Sequence, residues 1–185
     1  ASAASRLPPR RATMTLNGCK VMNKLDLEAV NYRSPYDVHS VGDQYVFVTD
    51  TGIEYHVDFE QDSNPYYTAY WFNLANPEQQ KSPSDKKIPQ TVICIIEEFF
   101  RQNPDIMLYI CSTANDQQAQ RARLFLRWFN GYEQRQRYLI KAVEVKGDDK
   151  RKDYVALIIQ RTNPQIDEIV ARFDSEIAMF NEFKP

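Results

Sequence analysis

Residues 108–132, LYICSTANDQQAQRARLFLRWFNGY, decide how the fold is read. The run that leads into them, Ile106 to Cys111, is continuously apolar and of strand length, as an interior strand covered on both faces requires. Ser112, Thr113 or Asn115 can then cap a helix, and Gly131 closes it from the C-terminal side. On that helix Ala119, Ala122, Phe125, Leu126 and Phe129 share one face. Arg123 and Arg127 stand one turn apart on another, with Gln120 beside them. A buried strand that delivers an amphipathic helix onto its own sheet fixes the centre of the layout.

Upstream, a short helix over Leu25 to Val30 is stopped by Ser34-Pro35, which forces an extended or turning backbone. Strands follow at Tyr36 to Val41, Tyr45 to Thr49, Ile53 to Gln61 and Ala69 to Ala75. Gly42-Asp43 and Asp50-Thr51-Gly52 break the first three apart as a meander. In EYHVDFE, residues 54–60, the set Glu54, His56, Asp58, Glu60 alternates with Tyr55, Val57, Phe59. One strand face is therefore polar and the other joins the core. The polar loop 76–87 gives way to Ile88, Val92, Ile95, Ile96 and Phe99 at helical spacing, a largely buried helix that Asn103-Pro104 ends. Downstream, Tyr138 to Lys146 and Tyr154 to Arg161 pair as a hairpin across GDDKRKD. A last helix carries Ile166, Ile169, Val170, Phe173, Ile177 and Phe180 on one stripe. The order is four strands, helix, strand, helix, two strands, helix: an α+β domain whose mixed, mainly antiparallel sheet is flanked by helices.

The totals limit what such a domain does. With 23 basic and 25 acidic residues the net charge is −2, so no global field draws in nucleic acid or an anionic membrane. Hydrophobic residues at 43%, with 11 Tyr and 10 Phe, supply one core. Three cysteines, two of them in apolar runs, argue against a disulfide framework. His39 and His56 sit in strands away from any metal-binding pattern, so no metal is expected. No apolar run reaches the ~20 residues that span a bilayer, and a reducing cytoplasm is the default location. Residues 1–21, with Arg6, Arg10, Arg11 and Lys20, no acid and a Pro-Pro pair, read as a loose basic tail. It is either an arm for something anionic or an extension upstream of Met22. The domain is expected over residues 22–185.

The element order and residues 108–132 together resemble the core of the GNAT acyltransferase superfamily, over about residues 36–161. There an antiparallel meander leads to a helix, a parallel strand, a second helix and a closing hairpin. Asn115 and Ala119 fall where such proteins often carry an Asn and a small residue, and Trp128-Phe129 falls near their closing Gly-Phe. The chain as a whole also resembles an uncharacterised family of small bacterial proteins, and that likeness brings no activity. The acyltransferase resemblance implies acetyl-CoA or a related acyl-CoA as cofactor. It places the site between the strand 69–75 and the helix beginning near Thr91.

This sequence departs from that pattern in two places. The superfamily's pyrophosphate loop, Gln/Arg-x-x-Gly-x-Gly/Ala, needs glycines for close backbone approach. Residues 82–91 instead read SPSDKKIPQT, with no glycine and two prolines. The Tyr that many members carry on the second helix is replaced by Ala122 and Arg123. An acyltransferase built on this chain would therefore hold phosphate with Lys86, Lys87, Thr91, Asn115, Arg123 and Arg127. Tyr132 would serve as proton donor, and His56, between two carboxylates, as base.

Each of these residues has a plainer reading. Arg123 and Arg127 suit a solvated helix face as well as an anion clamp. The His56 ladder suits the wet side of a meander. Tyr66, Tyr67, Tyr70, Trp71 and Phe72 line a ligand cleft or a partner surface, or pack at the edge of the core. Two functions follow: an acyl-CoA-dependent N-acyltransferase or CoA-like ligand binder, or a non-catalytic protein-interaction module that keeps the fold. The implied partners are a small-molecule ligand or another protein, with no membrane.

Overall fold

The computed structural model describes residues 21–183 other than 79, 82, 112–115, 132 and 147–151; the side chains of 111, 116–122, 131, 134 and 152 also lie outside the description. Residues 1–20 of the basic tail, the capping candidates Ser112, Thr113 and Asn115, Tyr132 and the centre of the charged turn are therefore not among the described residues. The elements, in chain order, are α1 (Leu27–Arg33), β1 (His39–Val41), β2 (Gln44–Val48), β3 (Glu54–Gln61), β4 (Ala69–Ala75), α2 (Lys87–Gln102), β5 (Ile106–Cys111), α3 (Asp116–Gly131), β6 (Tyr138–Lys146), β7 (Lys152–Gln160) and α4 (Ile166–Phe183). A 3₁₀ turn over Glu133–Gln136 joins α3 to β6.

All seven strands form one sheet, in the order β1-β2-β3-β4-β5-β7-β6. β5 runs parallel to β4 and antiparallel to β7, so the apolar strand that opens the deciding stretch is interior. Gly42 and Gly52 hold the two meander turns with φ of 60° and 81°, a left-handed backbone that side chains beyond Cα disfavour.

Several element boundaries differ by one to three residues from the sequence reading, and two of the differences have a visible cause. β1 begins at His39 rather than Tyr36, because the Asn31 side chain takes both backbone groups of Val38. That pairing holds Tyr36 to Val38 as a docked loop instead of a strand. α1 begins at Leu27 because Asp26 caps it, accepting from the backbone N–H of Glu28 and Ala29.

The sheet separates two cores. On one face Tyr45, Phe47, Val57, Tyr70, Phe72, Met107 and Ile158 pack with α2 (Ile95, Ile96, Phe99) and α3 (Phe125, Phe129). Phe99, fully buried, stacks on Phe59 at 4.5 Å and meets Tyr70 edge-on at 5.7 Å. On the other face Ala69, Ile106, Leu108, Leu157 and Ile159 pack with Ile169 and Phe173 of α4. The half made of β4, β5, β7 and β6 is thus covered on both sides, which explains why β5 and the Val155–Ile159 segment of β7 are continuous apolar runs. In β3, Val57 is buried while Glu54 and Glu60 are exposed, as the alternation requires.

The β4–β5 ladder joins Ala69 to Ile106, Tyr70 to Met107 and Trp71 to Leu108. Beyond that point β4 stays paired with β3 and β5 with β7. Phe125 of α3 packs against Phe72 at 5.2 Å and Tyr109 at 4.4 Å, the first two residues past the end of the ladder on that face. An aromatic ring on α3 therefore occupies the place where the two strands cease to pair.

Candidate functional site

The start of α2 is where the resemblance places phosphate, and its geometry follows from Asp85 and Pro89. The Lys87 N–H donates to Asp85 Oδ1 at 2.8 Å, and the Ile88 N–H to the Asp85 carbonyl at 3.3 Å. Pro89 has no N–H, and the Gln90 N–H donates to the Lys86 carbonyl at 3.4 Å. The donors of the first turn are thus satisfied within the chain. Thr91 is fully buried, and its hydroxyl donates to the Lys87 carbonyl at 2.8 Å.

The charges at this end are also matched. Lys87 Nζ pairs with Asp50 Oδ2 at 2.7 Å and lies 5.4 Å from the centre of the Tyr36 ring. The Asp50 contact pushes the Lys87 ammonium up, and the same contact holds the Asp50 carboxyl below its usual range. The Tyr36 hydroxyl donates to Asp85 and accepts from the Asp50 N–H. Its pKa is raised, first by burial and then by the Asp85 carboxylate. Asp50, Asp85 and Tyr36 make this corner a closed network, and the adjacent Lys86 is exposed.

His56 lies on the other side of the sheet. Its neighbours Tyr55, Val57 and Phe59 pack into the core that α2 and α3 cover, which turns His56 to the opposite face. There one ring nitrogen meets Glu54 Oε1 and the other meets Gln44 Oε1 at 2.8 Å. Asp58 does not complete the expected pair of carboxylates around it. It accepts instead from Asn73 Nδ2 at 2.7 Å and Gln44 Nε2 at 3.4 Å. The base named from the sequence and the basic residues of α2 and α3 are therefore separated by the thickness of the sheet. Arg123 and Arg127 are exposed on α3.

The aromatic cluster divides between packing and cleft. Tyr70 and Phe72 are core residues. The Trp71 indole donates to Asp62 Oδ1 at 3.1 Å, and the Tyr67 hydroxyl to Glu176 Oε2 on α4 at 2.8 Å. Burial, followed by Glu176, pushes the Tyr67 hydroxyl far above its ordinary value. The Arg172 guanidinium sits 3.7 Å from the centre of the Tyr66 ring, a cation–π contact that ties the loop to α4. Tyr66 and Tyr67 also border an open cleft of about 440 Å³ that reaches Pro104 and Asn163.

Residues that the sequence reading passed over include Asp85 at the start of α2 and the buried Glu98 near its end. Glu98 is fully buried, among the apolar residues of the buried face of α2. It accepts from Arg101 Nε at 2.7 Å, Gln102 Nε2 at 2.9 Å and the Asp26 N–H at 3.0 Å. Burial raises its pKa, but these donors outweigh burial and hold the carboxyl below its ordinary value. Ser84-Asp85 ahead of an apolar helical stripe is a capping signal. Of the adjacent Glu97 and Glu98, only Glu98 falls on the buried side, where a carboxylate calls for an ionic partner. Among the described residues no group of three or more metal-ligating side chains is assembled. Cys94 is buried, and desolvation raises its thiol.

A model described as a family of unknown function (DUF6169) matches residues 84–175. The chain is similar to that family from α2 into α4. The match agrees with the likeness to an uncharacterised family and omits the meander that carries His56. No curated protein matches the sequence. Among the described residues no helix is long and apolar enough to cross a membrane.

Proposed function

We propose that this chain is a non-catalytic interaction module of the cytoplasm that keeps a GNAT-like order of elements without its cofactor chemistry. One observation carries the reading: the first turn of α2 has spent its donors on Asp85 and on its own backbone, with Pro89 supplying none. A pyrophosphate at a helix start is held by such N–H groups when they are free. Lys87 and Thr91 are engaged as well, and His56 faces away from α2 and α3. Thermal melting with and without acetyl-CoA tests the proposal. No shift at millimolar ligand is expected. A ligand at about 100 times its Kd adds ~2.7 kcal/mol of stability, and a shift of that size overturns the module reading.

A second reading, an acyl-CoA-dependent N-acyltransferase, is favoured by the parallel β4–β5 pair that ends at Trp71 and Leu108 inside one mixed sheet. It relies on Lys86, Arg123, Arg127 and Asn115 for the cofactor and on His56 and Tyr132 for proton transfer. Acetyl-CoA turnover with an amine, lost in His56→Ala, is the outcome that selects it.

A further inference from the structure

At the opposite end of α2 from Lys87, a groove of about 400 Å³ runs between the end of that helix and the β6–β7 hairpin. Four guanidiniums, Arg33, Arg101, Arg137 and Arg161, line it with a single carboxylate, Glu97. Two of the four are matched. Arg33 pairs with Glu97 at 2.7 Å, and Arg101 pairs with Glu98 at 2.7 Å and Asp26 at 3.7 Å. Arg137 and Arg161 are exposed, and no carboxylate among the described residues pairs with either.

These two are held together by the backbone. Tyr138 and Gln160 are partners in the last step of the β6–β7 ladder, and just beyond it the Arg161 N–H donates to the Arg137 carbonyl at 2.8 Å. Arg161 Nε donates to the Arg135 carbonyl at 2.9 Å. That bond orients the guanidinium and leaves its two terminal amino groups for another acceptor. Like charges at facing positions of a ladder repel. An anion between them removes that cost and is gripped by two planar forks.

We propose that this groove binds a phosphomonoester dianion between Arg137 and Arg161. The charge count selects the ligand. Two uncompensated cations call for about two negative charges at one point, which a phosphomonoester supplies near neutral pH and a carboxylate does not. The negative end of the α2 dipole, which opposes an anion, is shielded here. The Phe99, Phe100 and Gln102 carbonyls accept from Asn103, Gln160 and Asn23 respectively. Phe100 and Tyr138, with ring centres 4.8 Å apart, give the groove an apolar wall. Burial, with Glu97 next, pushes the Tyr138 hydroxyl up to about 12, so it stays protonated at neutral pH.

The test is calorimetric titration of the full chain with inorganic phosphate, a sugar phosphate and a short neutral peptide carrying one phosphoserine. Saturable binding of at least one ester is expected. Arg137→Gln and Arg161→Gln should each weaken it about tenfold or more, a loss of ~1.4 kcal/mol. Arg161→Lys, which keeps the charge but not the fork, should also weaken it, and Lys81→Gln, an exposed cation outside the groove, should leave it unchanged. Tighter peptide binding assigns the phosphate to a modified protein, and tighter sugar phosphate binding assigns it to a metabolite. No saturable binding at millimolar ligand, or equal binding by the Arg137→Gln/Arg161→Gln double variant, overturns the site. The outcome is separable from the module reading: an acetyl-CoA shift that persists in the double variant bears on that reading and not on this groove.

Discussion

The two ends of α2 both gather charge, and they resolve it differently. At the start, Asp50, Asp85, Lys87 and Tyr36 neutralise one another and use the helix donors. At the end, Glu98 satisfies Arg101, Gln102 and Asp26, Glu97 satisfies Arg33, and Arg137 and Arg161 are left facing solvent. A closed network stabilises the fold. An open pair of cations is available to a ligand. The resemblance read from the element order directs attention to the first end, whereas unbalanced charge points to the second.

The largest expected effect breaks the C-terminal end. Glu98→Ala strips the acceptor from Arg101, Gln102 and the Asp26 N–H in a fully buried position. It should cost about 2–4 kcal/mol by urea unfolding. A change within experimental error would show that those donors find other acceptors.

The same carboxyl sharpens the comparison through pH. Its folded pKa lies below the ordinary value. Its contribution is therefore complete above the unfolded pKa and is lost as pH falls through the lower folded one. Stability measured from pH 6 down to pH 3, a range of roughly three units around the usual carboxylate region, should decline less steeply in Glu98→Gln than in the parent chain. Parallel curves would remove Glu98 as the source.

At the other end, Asp85→Ala deletes the cap on Lys87 N–H and the Tyr36 partner. A loss of about 1 kcal/mol is expected in thermal or urea unfolding. The Tyr36 hydroxyl should then titrate at lower pH, since Asp85 is one of the groups that raise it. The smallest effect is reserved for Arg137→Gln and Arg161→Gln. Both positions are exposed, so their stability should stay within about 0.5 kcal/mol of the parent while phosphate binding falls. Destabilisation well beyond that would mean that these arginines serve packing.

The order of elements and the interior place of β5 were legible because burial on both faces demands an unbroken apolar run, and Ile106 to Cys111 is one. The split of β3 into a wet and a dry side followed from its alternation in the same way. Other features were not legible. Nothing in Tyr36 to Val38 announces that Asn31 will take the Val38 backbone, because the pairing joins a helix to a loop. His56 among acidic letters suggested a two-carboxylate setting, yet Asn73 from the next strand claims Asp58. The Arg137–Arg161 pair was hidden because those residues are 24 positions apart and meet only through the hairpin.

Periodicity, caps and turn residues act within a few positions of the chain, so the sequence alone determined the helices, the strands and their sidedness. Which charges are neutralised and which stay open depends on contacts between distant segments. Electrostatic pairing acts through space over a few ångströms, and only the packed sheet, with α2 laid across it, brought Asp50 to Lys87, Asp26 to Glu98 and Arg161 beside Arg137.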